Sequence, residues 1–174
     1  KAVDRALTIL PFEPAWFERA GVRAAHVGHP LQDALAGIPA SKPAPAARAL
    51  VLLPGSRARV VEQNLPWMLG LLAEVRAQLP GGEPVVAHED PALEPQLSAI
   101  LARSGVAGVR LALGDLHGTL SRARAACSVS GTVLLDLLRH RLPAVVLYRL
   151  GSAREEWLGR RFLSVPWFSS VNLL

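Results

Sequence analysis

Two segments of the chain each follow an apolar run with small and polar residues that can bind an anion. The first, residues 50–57, has the sequence LVLLPGSR, and the second, residues 125–132, has the sequence AACSVSGT. A buried parallel strand is nearly all apolar because helices cover both of its faces, and small residues at its carboxyl end let the backbone approach a ligand. The two segments therefore predict two phosphate-facing turns of one nucleotide-binding α/β domain.

The first turn combines backbone amides with a cation. Pro54, Gly55, Ser56 and Arg57 lie where a predicted strand leads into a helix, so unpaired N–H groups and a guanidinium can bind phosphate together. An ordinary Pro-Gly turn followed by a solvated arginine is the alternative interpretation.

The second turn adds hydroxyls and an acid. Ser130 and Thr132 supply two hydroxyls around Gly131, and Asp136 lies one helical turn further on, where it can hold the hydroxyl pair of a ribose. In the alternative interpretation Thr132 caps the helix and Asp136 is a surface charge near its start. Neither turn is a Walker motif, and no G-x-G-x-x-G follows a strand.

Alternating apolar patterns predict the elements that position these turns. Strands are predicted at residues 49–53, 85–87, 109–113, 125–129 and 143–148, and helices at 65–79, 93–101, 116–123 and 132–139, with Asn64 and Asp115 as N-caps. Single helices between short strands imply right-handed crossovers. The predicted fold is therefore α/β: a Rossmann-like parallel sheet with helices on both faces and a ligand at the carboxyl edge of its strands.

The residues before this domain differ in composition. Residues 6–10 predict a short strand and 16–20 a brief helix, whereas 28–47 are rich in Pro, Gly, Ala and Ser and predict a linker. The expected organisation is the end of one domain plus a linker over 1–47, and a second domain over 48–174. Because the chain starts at Lys1, we expect it to be part of a longer protein, with the second domain truncated at its C-terminus.

Composition restricts the environment and the partners. The formal charge of +5 favours anionic ligands or an anionic membrane surface. No run approaches the roughly 20 apolar residues of a membrane span, and Cys127, the single cysteine, is expected to be a buried, inert thiol. These features predict a cytoplasmic protein.

The polar residues outside the two turns indicate no specific function. His26 and His29 have no companion cluster at ligand spacing, so no metal site is predicted. His88, Glu89 and Asp90 end a strand on the ligand edge, whereas His117 and His140 fall in helices; each of these residues is more typical of a solvated or capping group than of a catalytic one.

A basic and aromatic stretch lies near the C-terminus. It contains Trp157, Arg160, Arg161, Phe162, Trp167 and Phe168. Packing of an amphipathic helix against the domain is the favoured interpretation, and contact with lipid is the alternative. Nucleic acid is not predicted as a partner, because Tyr148 is the one aromatic residue on a predicted strand.

Several motifs in order resemble the lipid-A-disaccharide synthase family, glycosyltransferases of the two-domain GT-B architecture. The matching segments are residues 11–13 (PFE), 28–33 (GHPLQD), 53–57 (LPGSR), 130–136 (SGTVLLD) and 165–174 (VPWFSSVNLL). The resemblance covers essentially the whole chain. It implies that the chain is the end of an acceptor-binding domain followed by most of the donor-binding C-terminal half of a GT-B fold.

The resemblance implies an inverting transfer of a 2,3-diacylglucosamine from UDP to 2,3-diacylglucosamine 1-phosphate. A UDP-sugar donor and an acylated sugar phosphate acceptor are the implied partners, with no metal or organic cofactor. The implied donor contacts are Gly55, Ser56, Arg57, Ser130, Gly131, Thr132, Asp136 and Asn172. The family's proposed catalytic acid lies outside this chain, so no catalytic residue is assigned and the chain by itself is expected to be inactive.

Three positions depart from the family pattern. Val60 and Asp136 stand where the family usually has Glu, and Val171 stands where it has Pro. These departures leave open two alternatives: another UDP-sugar-using GT-B enzyme, or a non-catalytic relative that binds membrane or protein. Acylated substrates would place the protein in the cytoplasm at the surface of the inner membrane.

Overall fold

The chain divides into two compact units. The computed structural model describes residues 3–78 and 81–147. By its internal contacts the smaller unit ends at Pro39 and the larger one begins at Ala40. The domain boundary expected at residue 48 stays a prediction.

The smaller unit is a parallel strand pair with two short helices. β1 (Arg5–Thr8) pairs with β2 (Arg23–His26), and α1 (Glu13–Arg19) connects them. The Glu13 carboxylate accepts backbone N–H bonds from Ile9 and Leu10 at 3.0 and 2.8 Å, which fixes the turn into α1. Neither β2 nor α2 (Leu31–Leu35) is predicted from the sequence, because each is too short to show an apolar period.

The larger unit is built on a five-stranded parallel sheet in the order β5-β4-β3-β6-β7. Its strands are β3 (Ala49–Leu53), β4 (Glu83–His88), β5 (Arg110–Leu113), β6 (Ala123–Val129) and β7 (Ala144–Leu147). Its helices are α3 (Ala58–Val75), α4 (Glu94–Ser104), α5 (Leu116–Ser121) and α6 (Val133–Arg139), with 3-10 turns at Arg76–Gln78 and Pro91–Leu93. The predicted Rossmann-like α/β fold is confirmed.

Helices cover both faces of this sheet. Along β3 the side chains alternate, so that Val51 and Leu53 pack with residues of α5 and α6 while Leu52 packs with residues of α3 and α4. Strands that are buried on both faces must be apolar at every position, which explains the continuous apolar runs in the sequence. Each run therefore identified its strand, although several ends differ by one or two residues.

The start of α3 differs most from expectation. Asn64 is not an N-cap: the helix begins at Ala58, and Asn64 lies inside it with its side chain buried. The Asn64 Nδ2 atom donates to the backbone oxygen of Val60 at 2.8 Å. A proline in a first helical turn is normally a start signal, but Pro66 lies in the interior of α3, where it removes one backbone hydrogen bond.

Two other differences concern element ends. Helix α5 stops at Ser121 rather than at residue 123, because β6 already begins at Ala123. Leu79 and Tyr148, the predicted ends of α3 and β7, lie outside the described residues.

The packing of α3 predicts a large difference between two leucines. Leu65 in α3 is fully buried, whereas Leu138 in α6 is 48% exposed. Leu65→Ala should lower the free energy of unfolding by about 2–5 kcal/mol, since it leaves a cavity, and Leu138→Ala by less than about 1 kcal/mol. Urea unfolding of both variants measures this difference. Equal losses would contradict the described core.

Candidate functional site

The two predicted turns lie side by side. β3 pairs directly with β6, so that Leu53 lies opposite Ser128 and the turn after each strand starts at the same edge of the sheet. The chain continues from β3 to β4 on one side and later returns to β6 on the other, which makes this edge the topological switch point. Ligands of open α/β sheets bind in the crevice at this point.

A cavity of about 260 Å³ occupies the crevice. It is lined by most of the predicted donor contacts, namely Gly55, Ser56, Ser130, Gly131, Thr132 and Asp136, together with residues at the end of β4 and the start of α5. The structure therefore brings six of the eight predicted contacts to one cavity.

The other two predicted donor contacts are not among the residues that line this cavity. Arg57 is exposed at the start of α3 and does not line the cavity. Asn172 lies outside the described residues.

Gly55 is required by the shape of the first turn. Its φ of +110° is a conformation that residues with a side chain rarely adopt. A Cβ atom at this position would lie 2.5 Å from Cγ1 of Val60 and 3.3 Å from Cγ2 of Val129. The backbone of this turn therefore packs directly against the first turn of α3.

The second turn is open toward the cavity. A Cβ atom on Gly131 would meet no atom within 4 Å. Thr132 occupies the N-cap position of α6 but makes no capping hydrogen bond with its side chain, so the capping interpretation is wrong. Thr132 is exposed and lines the cavity.

Asp136 is buried rather than on the surface. It is 8% exposed, which contradicts the surface-charge alternative. Burial raises the pKa of this carboxyl above its usual range; nearby His117 lowers it, and Glu89 raises it further. The His117 Nε2 atom lies 3.7 Å from Oδ1 of Asp136. A carboxylate held in a partly dry cleft is suited to accept hydrogen bonds from sugar hydroxyls.

A chain of histidines extends behind Asp136. Nδ1 of His117 lies 3.1 Å from Nε2 of His140, and Nδ1 of His140 lies 2.6 Å from Oγ of Ser41. His140 is buried, and burial together with the charges of His117 and Arg139 lowers its pKa. The spacing of these residues along the chain carries no signal of this contact. His140 occupies the C-cap position of α6, but it is buried, so its interpretation as a solvated group is wrong.

The end of β4 forms another wall of the cavity. His88 is buried, and its Nδ1 atom accepts the backbone N–H of Asp90 at 3.0 Å. Glu89 accepts the backbone N–H of Leu116 at 2.9 Å, and Asp90 accepts that of Ala92 at 2.9 Å. Asp90 therefore caps the 3-10 turn at Pro91–Leu93, and Glu89 holds the first backbone N–H of α5.

The remaining chemical candidates give no catalytic group. Burial raises the pKa of the Cys127 thiol to about 11, so the thiol is protonated at neutral pH and inert. Within residues 3–78 and 81–147, no three His, Cys, Asp or Glu side chains are grouped so that they could hold a metal ion.

In the same ranges, no helix has the length and apolarity that crossing a membrane requires.

Comparison with known proteins decides the family. The sequence model described as Lipid-A-disaccharide synthetase matches residues 1–174, which is the whole chain. The chain belongs to this family. Its two cavity turns are the LPGSR and SGT segments on which the resemblance rests.

Curated relatives agree with this assignment. Lipid-A-disaccharide synthase of Chromohalobacter salexigens is 33% identical over 100% of the chain and 47% of its own length. The Pseudomonas fluorescens (strain Pf0-1) protein of that name is 34% identical over 98% of the chain and 46% of its length. That of Myxococcus xanthus is 33% identical, with 100% and 47% covered. The chain thus spans about half the length of these relatives.

A solved structure supports the fold. A chain from "Crystal structure of GtfA/B complex" aligns with a TM-score of 0.58 over 94% of this chain and 33% of its own length. Because the two sequences are 14% identical, this likeness concerns the fold alone.

The environment of Gly55 predicts a strained alanine variant. Gly55→Ala should lower the free energy of unfolding by about 1–3 kcal/mol, because the backbone conformation and the contact with Val60 both resist a Cβ atom. Adding Val60→Ala should recover part of this loss. Gly70→Ala, at an open helical position of α3, should be neutral or slightly stabilising. Thermal and urea unfolding test all three, and an unstrained Gly55→Ala would contradict the turn.

The lowered pKa of His140 predicts a pH dependence of stability. The ordinary pKa of this histidine is 6.5, and its pKa in the folded chain is lower. At pH values between these two pKa values, the unfolded chain binds more protons than the folded one. Stability from this group is therefore complete above about pH 6.5 and is lost as the pH falls through the folded pKa. His140→Gln should lose less stability than the parent between pH 8 and 5 in parallel urea titrations. Identical pH profiles would show that His140 is not the group responsible.

Proposed function

We propose that the larger unit binds the UDP-sugar donor of a glycosyltransferase of lipid A biosynthesis. The reaction proposed for the whole protein moves a 2,3-diacylglucosamine from UDP to 2,3-diacylglucosamine 1-phosphate, giving the lipid A disaccharide and UDP. The observation that carries the proposal is the cavity at the switch point, where both family motifs contribute residues. Membership in the lipid-A-disaccharide synthetase family supports the reaction class.

Each side of the cavity has a role in this proposal. The backbone of Gly55 and Ser56 and the hydroxyl of Thr132 meet the diphosphate, while Asp136 accepts hydrogen bonds from the ribose. When the sugar bond breaks, negative charge develops on the departing UDP, and preorganised donors stabilise it. We assign no acid or base here, so the described residues account for donor binding and leaving-group stabilisation.

Arg57 has an outer role in this proposal. Arg57 directly precedes α3 and lies beside the turn. From this position its exposed side chain can reach a phosphate that extends beyond the cavity. A guanidinium binds two phosphate oxygens at once, so it adds both charge and orientation.

One observation favours a second candidate, another UDP-sugar enzyme of the same architecture. Val60 stands where the family usually has Glu, and it packs beside Gly55, so this position offers the donor no carboxylate. Product analysis of the intact protein distinguishes the two candidates. Turnover of diacylated UDP-glucosamine supports the lipid A reaction, and turnover restricted to unacylated UDP-sugars supports the alternative.

Membrane contact is a separate part of the proposal. Acylated substrates require access to a lipid surface, and the positive charge and the aromatic residues of 157–168 suit an anionic one. These residues lie outside the described part of the chain. Cosedimentation with anionic vesicles at low salt tests this contact, and no cosedimentation would contradict it.

Calorimetric titration of UDP tests donor binding. Arg57→Ala should weaken binding about tenfold or more, because a charge-assisted hydrogen bond is lost. Gly131→Val should abolish it, since the side chain would fill space now open beside the turn. Arg110→Ala, at the opposite end of the sheet, is the matched control and should bind like the parent. Binding that survives both turn variants would exclude the two-turn site.

A further inference from the structure

His88 has one ring nitrogen satisfied and one without a partner. Nδ1 lies 3.0 Å from the backbone nitrogen of Asp90 and 3.2 Å from its backbone oxygen. Because the N–H of Asp90 points at Nδ1, that atom carries the lone pair and the ring proton lies on Nε2. Nε2 is buried, and within the described residues it is the one buried side-chain nitrogen or oxygen that lacks a hydrogen-bond partner. Leaving a buried donor unpaired is costly, so such a group indicates a missing acceptor.

The position of His88 indicates where that acceptor comes from. The residue is 6% exposed, ends β4 and lines the switch-point cavity. Much of the surrounding wall is apolar, with Leu53, Ala87, Leu116, Val129 and Val133. An apolar cavity that contains a few directed polar groups is typical of a small-molecule site. Its apolar wall suits the face of a flat, largely uncharged ring.

The charges in the cavity restrict the acceptor further. Glu89 and Asp136 line the same space, and their carboxylates would repel a phosphate placed between them. Carboxylates accept the hydrogens of sugar hydroxyls, so the ribose suits this side of the cavity. The group that remains for the Nε2–H of His88 is a neutral acceptor, such as a carbonyl oxygen of the base.

We propose that His88 is a specificity-determining residue that donates its Nε2–H to a carbonyl oxygen of the uracil ring of the donor. The inference rests on the proposed function, because it requires a uridine nucleotide in the cavity. The Asp90 backbone is the positioning group, since its N–H keeps the proton on Nε2. The base then lies at the end of β4, and the diphosphate extends toward the turns of Gly55 and Gly131.

Two substitutions of His88 by amide side chains test whether the N–H donor at Nε2, rather than the imidazole ring itself, is required. Asn at position 88 can still accept the N–H of Asp90 but has no donor at the position of Nε2, whereas Gln can place an N–H there. His88→Asn should weaken UDP binding about tenfold, and His88→Gln should stay within about threefold of the parent. Thermal unfolding of both variants is the control that checks whether they are folded. The binding is measured by calorimetry with UDP and by NMR titration with uridine.

The two ligands distinguish a base contact from a phosphate contact. A contact to the base predicts the same loss of affinity in His88→Asn for uridine as for UDP. A loss for UDP but not for uridine would assign His88 to the phosphates and overturn the inference. Equal binding by the parent and both variants, or equal losses in both variants, would also overturn it while leaving the proposed function in place. If UDP does not bind the parent chain, the proposed function and this inference fail together.

Discussion

The site depends on the parallel pairing of β3 with β6. This pairing places β3 in the centre of the sheet and brings together two turns that are far apart in the sequence. Helices cover both faces of a central strand, so its side chains must be apolar. Polar groups that bind a ligand can therefore lie only beyond its carboxyl end. The small residues at positions 55 and 131 then allow backbone rather than side chains to form the adjacent crevice.

Electrostatics divides this crevice into different regions. Asp136 and Glu89 give one side a negative character that suits hydroxyl groups, and the burial of Asp136 keeps its interactions strong. The histidine pair behind Asp136 links the cleft to Ser41 in the segment before β3.

The sequence predicted the sheet well because burial on both faces leaves a continuous apolar run, which is a local signal. It also identified the turns of the cavity, because small residues at the carboxyl end of a buried strand let the backbone approach a ligand. It failed where local signals conflict with packing: Asn64 and Pro66 resemble a helix start, although the core extends α3 back to Ala58. The contact of His117 with His140 and the unpaired Nε2 of His88 arise only from tertiary packing, so no local pattern could predict them.

The most direct test of the shared site is NMR mapping of backbone amides while UDP is added to the isotope-labelled chain. Two turns that form one donor site require the amides of Gly55 and Ser56 to shift together with those of Gly131 and Thr132, with one common saturation curve. Shifts confined to one turn, or saturation at different UDP concentrations, would contradict the account.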